Sequence, residues 1–261
     1  MLFMAWFSLS SGSLESGWSL TWAFSNYTDA ISNYSTQFGR SFLYAGAATI
    51  LCLLLGYPLA YAIAFKGGRW RNLMLFAVIA PFFTTYLIRT IAWKTILADD
   101  SPVVEVLKFL QLVPQDGRVL ATSAAVIAGL TYNFLPFMVL PLYASLERLD
   151  LRLLEASKDL YASARLTFLK VTLPLTAPGI VAGVLLTFIP AVGDYVNATF
   201  LGGTNQSMIG NVIQAQYLVI NDYATAAALS FSLMIIIMVA VVLYIRFAGS
   251  EALMGDEEEA K

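Results

Sequence analysis

This chain of 261 residues contains no histidine. That absence removes the side chain that titrates nearest neutral pH. Imidazole general-base chemistry, His-ligated metals and Ser–His nucleophilic pairs go with it. Cysteine is almost as scarce. The single Cys52 lies in an apolar run, where it reads as a small hydrophobe, and no disulfide can form within the chain. Charge is thin: 12% of residues are Asp, Glu, Lys or Arg, about half the roughly 25% of an average soluble domain. A net charge of −2 gives no basic excess for nucleic acid. No G-x-x-x-x-G-K-[ST] run occurs, so the chain has no P-loop with which to hold ATP. Aspartyl chemistry needs two facing carboxylates, and the long apolar runs hold a single acid, Asp194. The residue types thus offer neither a catalytic site nor a metal site.

What the chain does have is apolar length: 59% of its residues are hydrophobic. Five runs stand out, at about Phe42–Phe65, Leu73–Ala92, Thr122–Leu142, Gly179–Phe200 and Ala224–Phe247. Each has about 20 residues, enough at ~1.5 Å per residue to cross a hydrocarbon core of ~30 Å. The fold class is therefore an all-α membrane protein. A sixth run, Leu2–Ser10, has about half that length. It lacks the basic n-region and small-residue cleavage site of a signal peptide. Residues 1–10 read as a short or truncated first span, or as a short membrane-dipping start. Residues 11–41 follow as an extracytoplasmic segment, 42–247 as the membrane domain and 248–261 as an acidic cytoplasmic tail.

Basic residues orient the spans. The loop Lys66–Arg71 carries three positive and no negative charges, and the loop at 143–177 carries Arg148, Arg152, Lys158, Arg165 and Lys170. Both fall on one side if all five runs cross, and that side is the cytoplasm. The loop Arg89–Val119 is an exception, with four basic residues of its own. Pro58, Pro81, Pro136, Pro141 and Pro190 interrupt four of the five runs. Each removes a backbone hydrogen bond and kinks a helix. Gly and Pro are common in spans, but prolines in so many favour a bundle bent around a pathway. Segment Ser101–Leu112 reads as a short amphipathic helix on the outer interface.

The loop at 143–177 is the most structured polar segment. Leu153, Ala156 and Leu160 recur at helical spacing, while Arg152, Glu155, Lys158 and Asp159 occupy the other faces. A second helical piece, Ala164–Val171, is ended by Pro174 and Pro178. Two short helices with an apolar stripe and mixed charge suit docking into a groove of a partner. A pair of helices resting on lipid headgroups has the same pattern, and the residues alone leave both readings open.

The loop resembles a known coupling element. Glu155-Ala156-Ser157 with Val171-Thr172-Leu173-Pro174 is similar to the EAA loop of bacterial ABC importer permeases. The family pattern is Glu-Ala-Ala, three residues, Gly, nine residues, Ile, one residue, Leu-Pro, and this chain keeps the spacing throughout. It departs at Ser157 for the second Ala, Val171 for Ile and Tyr161 for Gly. The last departure matters most. Gly adopts a positive φ freely, and Tyr in that conformation costs roughly 1 kcal/mol or more. Either the turn is built differently here or the coupling contact is altered. Other matching segments are Tyr86-Leu87-Ile88-Arg89, the run Asn133–Tyr143, Pro190–Val196, Leu201-Gly202-Gly203 and Met208–Ile213. Together they resemble the spermidine/putrescine permease subfamily over nearly all of residues 20–247.

That resemblance implies a type I ABC importer permease bundle: five full transmembrane helices plus the short N-terminal hydrophobic segment. The first span is complete in the family, so a shortened or misassigned N-terminus is expected here. It implies a multi-pass protein of the bacterial inner membrane, with Glu155, Ala156, Ser157, Lys158, Asp159, Tyr161, Leu173 and Pro174 at the ATPase contact. It implies no cofactor in this chain, with ATP and Mg on a partner ATPase. The partners would be a second homologous permease, two ATP-binding subunits and an extracytoplasmic polyamine-binding protein, besides membrane lipid. A polyamine is a flexible polycation, and a carboxylate beside aromatic rings suits it. Since a carboxylate in lipid costs at least ~2.5 kcal/mol, Asp194 is expected to line the pathway with Tyr195, Tyr132 and Asn133. The alternative is that Asp194 reaches water or caps the loop that follows. A permease for another small solute is the runner-up function. A secondary transporter comes third, because the inverted repeats and multiple ionisable groups it would show are not found.

Overall fold

A computed structural model of the chain describes residues 2–13 and 16–248. Except for Ala248, the expected acidic tail lies outside the described residues. The chain opens with a seven-residue helix, α1 (Leu2–Ser8), and an antiparallel hairpin of β1 (Ser10–Ser13) and β2 (Gly17–Leu20), registered with Ser10 opposite Leu20. At ~1.5 Å per residue α1 is too short to span a bilayer. It is tied down by polar contacts instead: Asn26 Nδ2 donates to Ser8 O and Ser10 O at 3.0 Å, and Ser8 Oγ pairs with Tyr27 OH at 2.7 Å.

Helix α2 (Ser25–Tyr61) starts well before the expected Phe42, with a local departure from helical geometry at Tyr34. The segment from 25 to 38 has no Gly or Pro to stop a helix. Phe38, Ser41, Ala45 and Ala48 also bury a stripe at helical spacing, and Ala30 is buried beyond the break at Tyr34. Part of the expected extracytoplasmic segment 11–41 is thus the first part of a long helix. A π-helical turn, Ala62–Lys66, follows.

The second apolar run is broken rather than straight. Helix α3 (Arg71–Ile79) gives way at Pro81 to a 3-10 stretch, Ala80–Phe83, then to extended Thr84 and Thr85, before α4 (Tyr86–Ile96). Pro81 has no N–H to continue the α-helical ladder, so the chain tightens and stops. Helix α5 (Pro102–Phe109) forms where the amphipathic pattern placed it. Ser101 Oγ caps it by accepting from Val104 N at 3.2 Å, and Pro102 occupies the first turn. Helix α6 (Ser123–Glu147) carries Pro136 and Pro141 inside.

After α6 come α7 (Leu151–Asp159), α8 (Ala164–Thr167), a π-helical turn, Phe168–Thr172, and α9 (Leu173–Leu175). Then follow α10 (Ala177–Val192), α11 (Val196–Leu201), α12 (Ile209–Ala215) and α13 (Tyr223–Ala248). Among the described residues, three continuous helices have the length and hydropathy of a span. Two broken pairs, Gly68–Phe83 with Tyr86–Ile96 and Ala164–Leu175 with Ala177–Val192, bring the number to five if each pair counts once.

The chain forms two compact units. One takes Met1–Ala48, Thr85–Leu130 and Ile189–Ala240; the other takes Thr49–Thr84, Thr131–Phe188 and Val241–Lys261. The first unit is pinned by buried polar pairs far apart in sequence: Ile209 N donates to Ser41 Oγ at 2.8 Å, and Tyr44 OH pairs with Ser123 Oγ at 2.7 Å. In the second, α10 lies close on α6. A Cβ on Gly179 would stand 2.5 Å from Ser145 Cβ and 2.8 Å from Pro141 O. Small residues allow such approach, and dispersion gains replace the hydrophobic drive that lipid does not supply. In the same unit Arg71 bonds Tyr143 OH, lies over its ring and ion-pairs with Glu147.

Candidate functional site

The charged loop is built by its own capping chemistry. Asp150 opens α7 by accepting from Arg152 N at 2.9 Å. The helix closes with paired bonds, Ala162 N to Ser157 O at 3.1 Å and Tyr161 N to Lys158 O at 2.9 Å. That pairing requires a left-handed residue after the last turn, and Tyr161 supplies it with φ +57°. The turn is therefore made as a glycine would make it, and the tyrosine carries the strain. Its side chain is 97% exposed and packs on nothing that would offset it.

Ser157, the other departure from the family pattern, has a structural use. Its Oγ donates to Leu154 O at 2.8 Å and pairs with Thr167 Oγ1 at 2.9 Å, so it joins α7 to α8. Ser163 Oγ caps α8 through Leu166 N at 3.3 Å. Tyr57 of α2 anchors the far end of the loop. Its ring meets Phe168 edge-on at 5.5 Å, and its hydroxyl pairs with the buried Thr176 Oγ1 at 2.8 Å. Leu173 and Pro174 begin the short α9 just before this anchor.

The stripe of Leu153, Ala156 and Leu160 turns outward. All three are exposed, whereas Leu154 and Ser157 face in and are half-buried. Glu155, Lys158 and Asp159 are exposed as well. The loop thus presents leucines and two-signed charge together on a firmly anchored helix–turn–helix, a surface chemically suited to a protein groove.

The second cluster is centred on Asp194. Helix α10 ends at Val192, and α11 begins at Val196. Within this break Asp194 is 8% exposed. Its Oδ1 accepts from Asn197 N at 2.8 Å and from Asn197 Nδ2 at 3.3 Å, in the first turn of α11. Its Oδ2 accepts from Tyr86 OH, and Asn197 Nδ2 also reaches Tyr86 OH at 2.6 Å. A carboxylate at a helix N-terminus complements the dipole and satisfies an orphan amide. This is the capping arrangement that stood as the alternative for Asp194. The guanidinium of Arg89 lies 5.6 Å over the Tyr86 ring and adds a cation to the same cluster.

The model of the family described as "binding-protein-dependent transport system inner membrane component" matches residues 53–249. The chain belongs to this family. It is 44% identical over 199 residues to the spermidine/putrescine transport system permease protein PotB of Escherichia coli (strain K12), covering 76% of this chain and 72% of that protein. With the PotB of Haemophilus influenzae (strain ATCC 51907 / DSM 11121 / KW20 / Rd) it shares 40% over 222 residues, 85% of this chain and 78% of that one. The inner membrane ABC transporter permease protein YdcU of E. coli K12 is 36% identical over 220 residues, 80% and 69% of the two chains.

Among solved structures, a bacterial ABC transporter involved in the import of the acidic polysaccharide alginate superposes with a TM-score of 0.62 at 18% identity, covering 84% of this chain and 82% of that one. The MetNI methionine ABC transporter in an inward-facing conformation gives 0.60 at 17%, with 82% and 94% covered. The fold is accordingly that of ABC importer permeases, in a multi-pass protein of the bacterial inner membrane. Family membership sets aside the secondary transporter.

The matched region contains both clusters. Of the four residues expected along the pathway, Asp194 and the 42%-exposed Tyr195 lie in the first unit. Tyr132, half-buried, and Asn133, buried, lie on α6 in the second. Sequence reasoning missed Tyr86 and Asn197 as partners of Asp194. The signal for Asn197 was its i+3 spacing from an acid just after a Gly, which is capping spacing. Tyr86 is 108 positions away and had no local signal.

Proposed function

We propose that this permease chain imports polyamines of the spermidine/putrescine class as one half of the translocation pathway of an ATP-driven transporter. The other half is a second homologous permease. Two ATP-binding subunits hold ATP and Mg and perform the hydrolysis, and an extracytoplasmic binding protein delivers the polyamine. Identity of 40–44% with PotB permeases supports the substrate class.

The observation that carries the coupling role is the loop Leu151–Leu175. It is exposed on its outer face, apolar and two-signed, and anchored to α2 through Tyr57. Placed in the cytoplasm by its basic residues, it is the surface that an ATPase grips through Glu155, Ala156, Ser157, Lys158, Asp159 and Tyr161, with Leu173 and Pro174 passing the motion into α10. A nucleotide-driven closure of the ATPases moves such an anchored element as a rigid body and rocks the spans it is joined to. In the pathway, Tyr195, Tyr132 and Asn133 meet the substrate, and Asp194 shapes the break that presents Tyr195.

Co-purification tests the reading. Wild-type chain should bring an ATPase with it, and the complex should hydrolyse ATP faster with putrescine or spermidine than with unrelated solutes. Glu155→Lys should release the ATPase while the chain still inserts. An ATPase that stays bound through several substitutions on the outer face of α7 would refute the docking role.

A further inference from the structure

The first unit holds an aromatic cavity of about 570 Å³, within the ~300–1,000 Å³ range of small-molecule sites. We propose that it is a binding site for a protonated alkylamine; the choice of amine rests on the polyamine reading above. Phe7, Tyr195, Tyr217 and Tyr223 supply rings to its wall. These rings are held by one another: Tyr217 and Tyr223 have centroids 5.1 Å apart, and Phe7 and Tyr223 5.6 Å. Trp18 backs the group from 5.6 Å behind Phe7. Ring faces carry negative quadrupole charge, so grouped rings attract an organic ammonium without any ionised residue.

Two hydroxyls of the wall offer acceptors, and Gln214 adds an amide with both a carbonyl oxygen and N–H donors. Among the described residues, no Lys, Arg, Asp or Glu lines the cavity. Ser230 Oγ donates its proton to Ala226 O at 2.8 Å, which leaves oxygen lone pairs as its free capacity. The Tyr223 hydroxyl donates to Asn221 Oδ1 at 3.4 Å and is likewise left as an acceptor. Gly193, the first residue past the C-terminal end of α10, forms part of the wall. The negative end of that helix dipole lies at the site beside the positive ends of α12, at Gly210, and α13, at Tyr223, so the helix ends themselves select neither sign of charge. Ring faces and hydroxyl acceptors, with no fixed cation among the lining residues, favour a cation with an apolar chain over an anion.

Equilibrium binding of radiolabelled spermidine to the purified full chain in lipid nanodiscs tests the site. Replacing two rings, Tyr217→Leu with Tyr223→Leu, should weaken binding about tenfold, from ~0.5–1 kcal/mol per ring. Tyr217→Phe keeps the ring and should change affinity less than about twofold on the same scale. Gly193→Leu should weaken binding, because a Cβ there enters open space at the wall, with nothing within 4 Å. Unlabelled 1,8-diaminooctane should displace spermidine, and 1,8-octanediol should not.

Displacement by the diol as effective as by the diamine would overturn the proposal, since the cavity would then be merely apolar. So would wild-type affinity in both Gly193→Leu and the double variant. Uptake by the wild-type transporter separates this from the functional reading. Spermidine import with binding unmoved by all three variants defeats the site alone. A wild-type transporter that imports no polyamine, in a chain whose diamine binding still follows the variants, defeats the functional reading alone.

Discussion

Replacing Tyr161 with Gly should tighten the charged loop, even though it removes a large side chain. The left-handed conformation costs a non-glycine residue about 1–2 kcal/mol, and Tyr161 holds it at φ +57°. Its ring is 97% exposed, so its removal forfeits no burial. Glycine makes the unfolded chain more flexible, which takes back about 0.4–1 kcal/mol. The net gain is about 0.5–1 kcal/mol, or a roughly two- to fivefold smaller opening constant. Hydrogen exchange reads it directly, because the Tyr161 and Ala162 amides close the end of α7. Peptides covering 156–166 should exchange about two- to fivefold more slowly in Tyr161→Gly, on that same arithmetic. Tyr161→Ala retains a Cβ and should exchange like wild type. Unchanged or faster exchange in Tyr161→Gly, or equal slowing in Tyr161→Ala, would refute the strain argument. ATP-driven uptake separates geometry from contact. If the exposed ring itself touches the ATPase, uptake falls in both variants while exchange slows only in the glycine variant.

Asp194→Asn should lower the thermal unfolding midpoint, because one of the two acceptor oxygens becomes an NH2 donor set against either Tyr86 OH or the Asn197 amide; the loss is about 1–3 kcal/mol. Tyr86→Phe should act in the same direction, and an unaltered midpoint with lost uptake in Asp194→Asn would return the carboxylate to the pathway. Gly179→Val should destabilise by about 1–3 kcal/mol, since even its Cβ would stand 2.5 Å from Ser145 Cβ. A valine variant with wild-type folded yield and midpoint in detergent would contradict the close packing of α6 on α10.

Composition and run length alone established a multi-span membrane protein, because long apolar segments with so little charge have no soluble core to enter. The resemblance of Glu155–Pro174 to the EAA loop isolated Tyr161 as its one costly residue, since a family motif fixes backbone conformation at given positions. Periodicity showed that Leu153, Ala156 and Leu160 share a face of α7, but only the packing decided that this face points outward. A helical repeat defines a stripe without saying what it meets. The prolines marked where backbone bonds are missing. Whether the chain stays helical, as through Pro136 and Pro141 in α6, or stops, as after Pro81, depended on neighbours the sequence does not order. Asp194 is the clearest case. Burial of a carboxylate was legible from the apolar run around it. Its partner Tyr86 lies 108 positions away, so tertiary structure alone decided that this carboxylate joins α4 to α11.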